Sequence, residues 1–123
     1  MKRVFLVLIV VFGIFAYAVA QAGVLVNMEV ISVLTSGVKT FTAASIKDDT
    51  KQGHYAKRAF CTVYGGQLNF TYDGVTTPTT GATGVGHYLQ NGDSIAFDRY
   101  SDIRDFQAIA ATATVTLTCS YEF

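Results

Sequence analysis

Two histidines, two cysteines and a scatter of aspartates are the residues of this chain with chemistry to offer. His87 with Asp73 or Asp93 would make a general base and a carboxylate to orient it. Hydroxyl nucleophiles are plentiful. No spacing turns these residues into a site. There is no G-x-S-x-G elbow to present a serine on a strained turn. His54 and His87 stand alone, without an H-x-H or H-E-x-x-H pairing for a metal. Asp93, Asp98, Asp102 and Asp105 crowd one region, but no D-x-D-x-D-G calcium loop is present, and Arg99 and Arg104 are interleaved. Exposed faces and caps account for these acids. The chain is therefore read as non-enzymatic, with no cofactor and no metal.

The stretch "TYDGVTTPTTGATGVGHYLQNGD", residues 71–93, is the other candidate for a site. Its glycines match no phosphate-binding loop, because G-x-x-x-x-G-K-[ST] is missing and no strand–glycine–helix order surrounds them. Turns explain them better. Asp73-Gly74 follows a strand pattern, with Gly for positive φ and Asp to bond its own backbone. Pro78 cannot donate to a ladder, which rules out a central strand there. Gly84 and Gly86 let the chain bend back to His87, and Asn91-Gly92-Asp93 makes another turn before "SIAF". Asn69-Phe70-Thr71 matches a glycosylation sequon, but it falls inside a strand pattern.

The elements that hold these residues are short strands. From Ala111 onward "AATATVTLTCSYEF" alternates apolar and polar residues, which predicts a strand with Cys119 on its apolar side. Residues 57–64 predict another, with Ala59, Cys61 and Val63 on one face and Phe60, Thr62 and Tyr64 on the other. "LNFTY" alternates too, with Asn69 and Thr71 on the wet side. Glu29 to Leu34 and Val38 to Ala43 read as one or two strands split by Ser36-Gly37. "SIKDDTKQGHYAKR" reads as a loop. "DFQAIAATA" starts as a turn and merges with the last strand. No amphipathic helix of useful length is visible. The pattern predicts an all-β chain, an antiparallel β-sandwich of jelly-roll or Ig-like type, following an N-terminal hydrophobic segment.

That segment is a separate object. Lys2 and Arg3 precede an uncharged run, Val4 to Ala20, which ends in small residues at Ala18, Ala20 and Ala22. This is the layout of a secretory signal peptide cut after Ala20 or Ala22. At about 17 residues the run is at the lower limit for a retained membrane anchor. A translation start at Met28 is the third option. The chain thus divides into 1–22, signal or anchor, and 23–123, one domain, as its 123 residues predict. Export makes a Cys61–Cys119 disulfide the natural reading of a lone cysteine pair. The two strands would then be neighbours or face each other across the core. Two buried free thiols are the alternative.

With nine basic and nine acidic residues the chain is neutral overall, and no basic stripe exists to favour nucleic acid. Membrane contact would come only from an uncleaved N-terminus.

Ala59, Val63, Tyr72, Asp73, Gly74, Pro78, Thr79, Gly86, His87, Leu89, Gly92, Asp93, Phe106 and Ile109 fall in the order of a known pattern. It runs "A…V-x-G", "Y-x-D-G-x-x-P-T", "G-H-x-L-x-x-G-D", "F-x-x-I" and a closing alternating strand. Over residues 38–123 the chain resembles small β-sandwich, virion-associated proteins of tailed phages and prophages, of capsid or decoration type. The resemblance implies a non-enzymatic virion component that binds its own copies or a capsid shell. The exported N-terminus and the cysteine pair depart from that pattern.

Two functions follow as expectations. The first is a structural protein acting through self-association or a larger assembly, with Phe60 and Tyr64 as its contact surface. The second is an exported, periplasmic or secreted, module for glycans or other ligands. Tyr55, Tyr64, Tyr72, Tyr88 and Tyr100 would be its flat, polar-edged platforms.

Overall fold

The computed structural model describes residues 26–47 and 53–123. The segment 1–22, signal or anchor, lies outside the described residues. Among the described residues no helix is long and apolar enough to cross a membrane.

Among the described residues period-two patterning becomes seven strands. They are β1 (Val26–Val33), β2 (Arg58–Tyr64), β3 (Leu68–Thr71), β4 (His87–Leu89), β5 (Ser94–Phe97), β6 (Gln107–Ala110) and β7 (Val115–Glu122). One short helix, α1 (Tyr100–Arg104), links β5 to β6. The strands form two antiparallel sheets, in the orders β1-β7-β2-β5 and β4-β3-β6. Lys39 and Ala108 exchange both backbone hydrogen bonds at 2.8 Å, which adds a one-residue rung on the other side of β6. The pairings are nested: β1 with β7, Lys39 with β6, β2 with β5, β3 with β4. That is one long antiparallel hairpin, folded over and rolled up. Of the two expected sandwich types, the pairing order is that of a jelly roll.

The core lies between the sheets. Along β7, Val115, Leu117, Cys119 and Tyr121 are buried and alternate with half-exposed Thr116, Thr118, Ser120 and Glu122. Leu68, Phe70, Ala108 and Ala110 answer from the other sheet. Phe41 stacks on Phe106 at 4.3 Å, with Phe97 and Tyr121 set edge-on around the pair. Burying each such side chain contributes about 1.5–3 kcal/mol. Cys61 and Cys119 stand directly opposite on β2 and β7, with Cα atoms 4.1 Å apart, and are bonded. Of the two placements open to them, neighbouring strands is the one found.

Three expectations are corrected. The last strand begins at Val115, not Ala111. Thr112 to Thr114 offer nothing large to bury, so the chain uses them to cross between sheets. "QAIA" does not merge with that strand but forms β6 in the other sheet. Val38 to Ala43 makes only the Lys39 rung, because Phe41 dives into the core and a turn follows, Ser45 N–H donating to Thr42 O at 2.9 Å. His87, read as a partly buried strand residue or a surface group, stands exposed on a strand paired with β3.

Candidate functional site

Each sheet has an outer face, and the chain treats the two differently. On the three-stranded sheet, Asn69 and Thr71 were expected to face water. They are buried instead, under the segment 75–86. The Asn69 amide donates to Thr79 O at 2.7 Å and Gly81 O at 2.8 Å. Thr71 Oγ1 donates to Thr76 O at 2.6 Å, and Thr80 Oγ1 to Ala110 O at 2.8 Å. Pro78 is fully buried beneath this roof. A Cβ on Gly84 would overlap the Thr79 carbonyl and press on the Asn69 amide. Gly86 sits at φ +116° with its missing Cβ aimed 2.7 Å from Phe70 O. The glycines let backbone lie on backbone, which a phosphate cradle does not require. Both amide protons of Asn69 are engaged and the residue is buried, so the sequon is closed to a glycan.

At the end of β3 the roof leaves an open groove of about 370 Å³, lined by Thr71, Tyr72, Asp73, Thr76, Gly86 and His87. Nothing in the residue pattern places His87 beside Asp73 rather than Asp93. The structure brings His87 and Asp73 to one groove, while Asp93 lies in the turn between β4 and β5. Antiparallel register does this, since His87 pairs with Phe70, two residues from Tyr72. The His87 ring lies nearly parallel to Tyr72, centroids 5.8 Å apart, and close to Phe70.

Asp73 is spoken for. Its Oδ1 accepts from Val75 N at 3.0 Å and Thr76 N at 2.8 Å, and its Oδ2 from Thr76 Oγ1 at 2.6 Å. These bonds, the Thr76 hydroxyl first, hold the carboxyl down at about 2. An anion this satisfied closes a turn; it is a poor partner for orienting a base. Gly74, at φ +70°, completes that turn against Asp105. Asp105 is likewise held below the usual range by the two bonds from Arg104, each 2.7 Å.

Gly92 and Asp93 close a different turn. Gly92 N donates to Val63 O and Val63 N to Asp93 O, which aligns β5 on β2. Asp93 Oδ2 also accepts from Gln90 N at 2.8 Å. Among the described residues no group of His, Cys, Asp and Glu could hold a metal ion. The tyrosines do not form one platform. Tyr55 pairs with Tyr100 at 4.6 Å, Tyr72 borders the groove, and Tyr64 and Tyr88 lie on opposite sheets.

The outer face of the four-stranded sheet is open. Phe60 and Tyr64 point outward, each 52% exposed, as the alternation of β2 predicts. Register puts Met28, Ser120, Phe60 and Ala96 in one row across the sheet, and Val30, Thr118, Thr62 and Ser94 in the next. Val26, Met28 and Val30 therefore extend the apolar surface to the sheet edge, and the sequence reading missed them. The signal was present, because β1 alternates, but the wet and dry sides of V-N-M-E-V-I-S-V cannot be told apart without knowing which side packs. Glu29 resolves it. It lies on the core side, where it accepts from Tyr121 Oη at 2.8 Å and from Thr42 N at 3.2 Å. Burial, and then that bond to Glu29, raises the Tyr121 hydroxyl far above its ordinary range.

Comparison with known proteins found no matching family model, no matching curated protein and no matching solved structure.

Proposed function

We propose that this chain is a non-enzymatic structural protein, a virion-associated component of a phage or prophage that works by self-association or by binding a larger assembly. One observation carries the reading. The chain roofs one sheet with its own backbone, while among the described residues none roofs the other sheet's outer face, where Phe60, Tyr64, Val26, Met28 and Val30 are exposed. Exposed large apolar side chains gathered on one sheet face favour a contact surface. The sequence resemblance to virion proteins points the same way. So does the jelly roll, a plan used by capsid domains and lectins alike, as an analogy of fold. The test is Phe60→Ser with Tyr64→Ser, read by sedimentation for association and by circular dichroism for folding. Weakened association of a folded domain supports the reading. Unchanged association removes this surface from it.

The disulfide fits an oxidising compartment, and export through residues 1–22 is part of the proposal. Intact mass of the product, with and without reductant, checks it. A periplasmic species starting at Gln21 or Gly23 supports export; a full-length membrane-bound species with reduced cysteines refutes it.

The groove favours a second reading, an exported module for glycans or other small ligands. Its volume is in the range of small-molecule sites, and Tyr72 gives it an aromatic wall with a polar edge. A glycan array probed with the wild type and Tyr72→Ala decides it. Binding lost in the variant supports the module. No binding at millimolar ligand retires it.

A further inference from the structure

The free side of β1 is a strand-pairing site, and backbone parity shows which groups it offers. Val63 gives its N–H and C=O to the β5 side, to Asp93 O and from Gly92 N. Ala59 and Cys61 share its parity, so they also face β5. The 4.1 Å Cα separation of Cys61 and Cys119 agrees, because it is that of a non-hydrogen-bonded pair. Cys119 therefore turns its backbone towards β1, where it meets Glu29. Asn27, Glu29, Ile31 and Val33 then bond to β7, while Met28, Val30 and Ser32 point their N–H and C=O away from the sheet. Two contacts confirm the parity. Met28 N donates to the side chain of Asn27, and Leu34 O, next in phase, accepts from Ala110 N in the other sheet. Among the described residues no backbone group pairs with Val30 or Ser32 on that side.

Such an edge is normally blunted by lysine, proline, a bulge, an inward-pointing charge or a covering loop. Among the described residues β1 has none of these on its outer row, where Met28 is 67% and Val30 69% exposed. Its one charge, Glu29, is already bonded on the core side.

We propose that β1 pairs antiparallel with β1 of a second copy about a two-fold axis at Val30, joining two four-stranded sheets into one of eight. The inference rests on the self-association reading above. Charge and length select the register. An axis at Glu29 would set the two carboxylates directly opposite, which repels. An axis at Ile31 leaves a ladder of only a few residues before the chain turns off to the other sheet at Leu34. The axis at Val30 uses residues 27–33 of both copies. It sets each Glu29 against an Ile31, and it lets the two Val30 residues exchange both backbone bonds. Met28 then stands beside Ser32 of the partner subunit. The outer rows of both copies merge into one apolar strip. Without Lys2 and Arg3 the chain keeps seven basic and nine acidic residues, too small an excess for strong long-range repulsion between copies. The contact is a small one, so the dimer is concentration-dependent.

The test uses protein purified from cells expressing the whole gene. Val30→Pro removes an N–H that serves no bond among the described residues and leaves the β1–β7 ladder intact. Val30→Lys puts a charge at the axis. Each should raise the dimer Kd by about tenfold or more in sedimentation, with the domain still folded. Ile31→Pro should instead unfold it, because Ile31 bonds to β7; a folded Ile31→Pro chain would overturn the parity. Mild oxidation of Val30→Cys should give a covalent dimer, and Met28→Cys alone should not. A protein that is monomeric throughout overturns the inference. If the wild type associates and both Val30 variants associate equally well, β1 pairing fails. In that event, loss of association in Phe60→Ser with Tyr64→Ser still supports the broader reading.

Discussion

β3 and β7 begin from the same pattern, apolar residues alternating with Thr, Ser or Asn, and end in opposite conditions. Along β7 every second residue stays half exposed. Along β3 all four residues are buried, because the segment 75–86 lies across the polar side. The pattern alone does not set burial. It sets which face is polar, and a polar face can be met by water or by carbonyls of the same chain. Asn69 and Thr71 meet carbonyls. The difference teaches where the chain has finished its own surface and where it has left surface for something else. The stapled sheet holds the disulfide inside and its unfinished face outside.

The largest expected effect breaks the stapled side. Replacing Cys61 and Cys119 with Ala, or reducing them, opens a loop of 58 residues. Chain entropy and the lost contacts predict a loss of about 2–5 kcal/mol in urea unfolding. That is a large share of the stability of a domain this size. A shift well under 1 kcal/mol would mean that the β2–β7 ladder and its core side chains carry the sheet unaided.

Next comes the roofed side. Asn69→Ala strands the carbonyls of Thr79 and Gly81 at the point where the segment is pinned. The predicted cost is about 1–3 kcal/mol. Gly84→Ala attacks the same contact from above, by overlap with the Thr79 carbonyl. Hydrogen exchange reads both variants locally. Amides of Thr79, Gly81 and Gly84, bonded in the roof, should lose protection while those of β2 and β7 keep theirs. Uniform loss across the domain would show that the roof and the sandwich unfold as one unit.

Legibility in the sequence followed the same division. β2, β5 and β7 could be read because each has one wet and one dry face, and the alternation of Ala59, Cys61 and Val63 with Phe60, Thr62 and Tyr64 gave both the buried cysteine and the exposed aromatics. β4 could not be read. Three residues, His87 to Leu89, carry too little periodicity, and their pairing with β3 is decided by distant residues. The split between β6 and β7 was hidden because "AATAT" continues the alternation through a crossover. Asp73-Gly74 and Asn91-Gly92-Asp93 were legible as turns from local backbone chemistry. That Asp73 and His87 share a groove was not, since it depends on strand register.

A smaller effect belongs to the seam where roof meets strand. Asp73 is held at about 2, below its ordinary 3.8, by donors that exist only in the folded chain. A lowered carboxyl stabilises the fold above its unfolded value, and that contribution disappears as pH falls through the folded one. Stability should therefore decline between about pH 4 and pH 2, by thermal melts across that interval. Asp73→Asn should flatten part of the decline. Asp105 is also held low, by Arg104, and the Asp73 charge pushes it the other way, so the difference between the two curves reports Asp73 together with its effect on Asp105. Identical curves would mean that the turn at Asp73 persists without its charge.

The smallest effect on stability is expected where the effect on association is greatest. Phe60 and Tyr64 lie half exposed on the open face, and Ser keeps a β-compatible backbone at both positions. Little core contact is lost, so each substitution should change the unfolding free energy by about 0.5 kcal/mol or less. On the roofed sheet a polar residue cannot be changed so cheaply, because Asn69 is bonded on both amide protons. The two measurements, stability and sedimentation, should thus separate cleanly on one face and move together on the other. If Phe60→Ser with Tyr64→Ser costs as much stability as Asn69→Ala, the open face is packed against residues of its own chain. It would then be finished surface, and the distinction between the two sheets would fall.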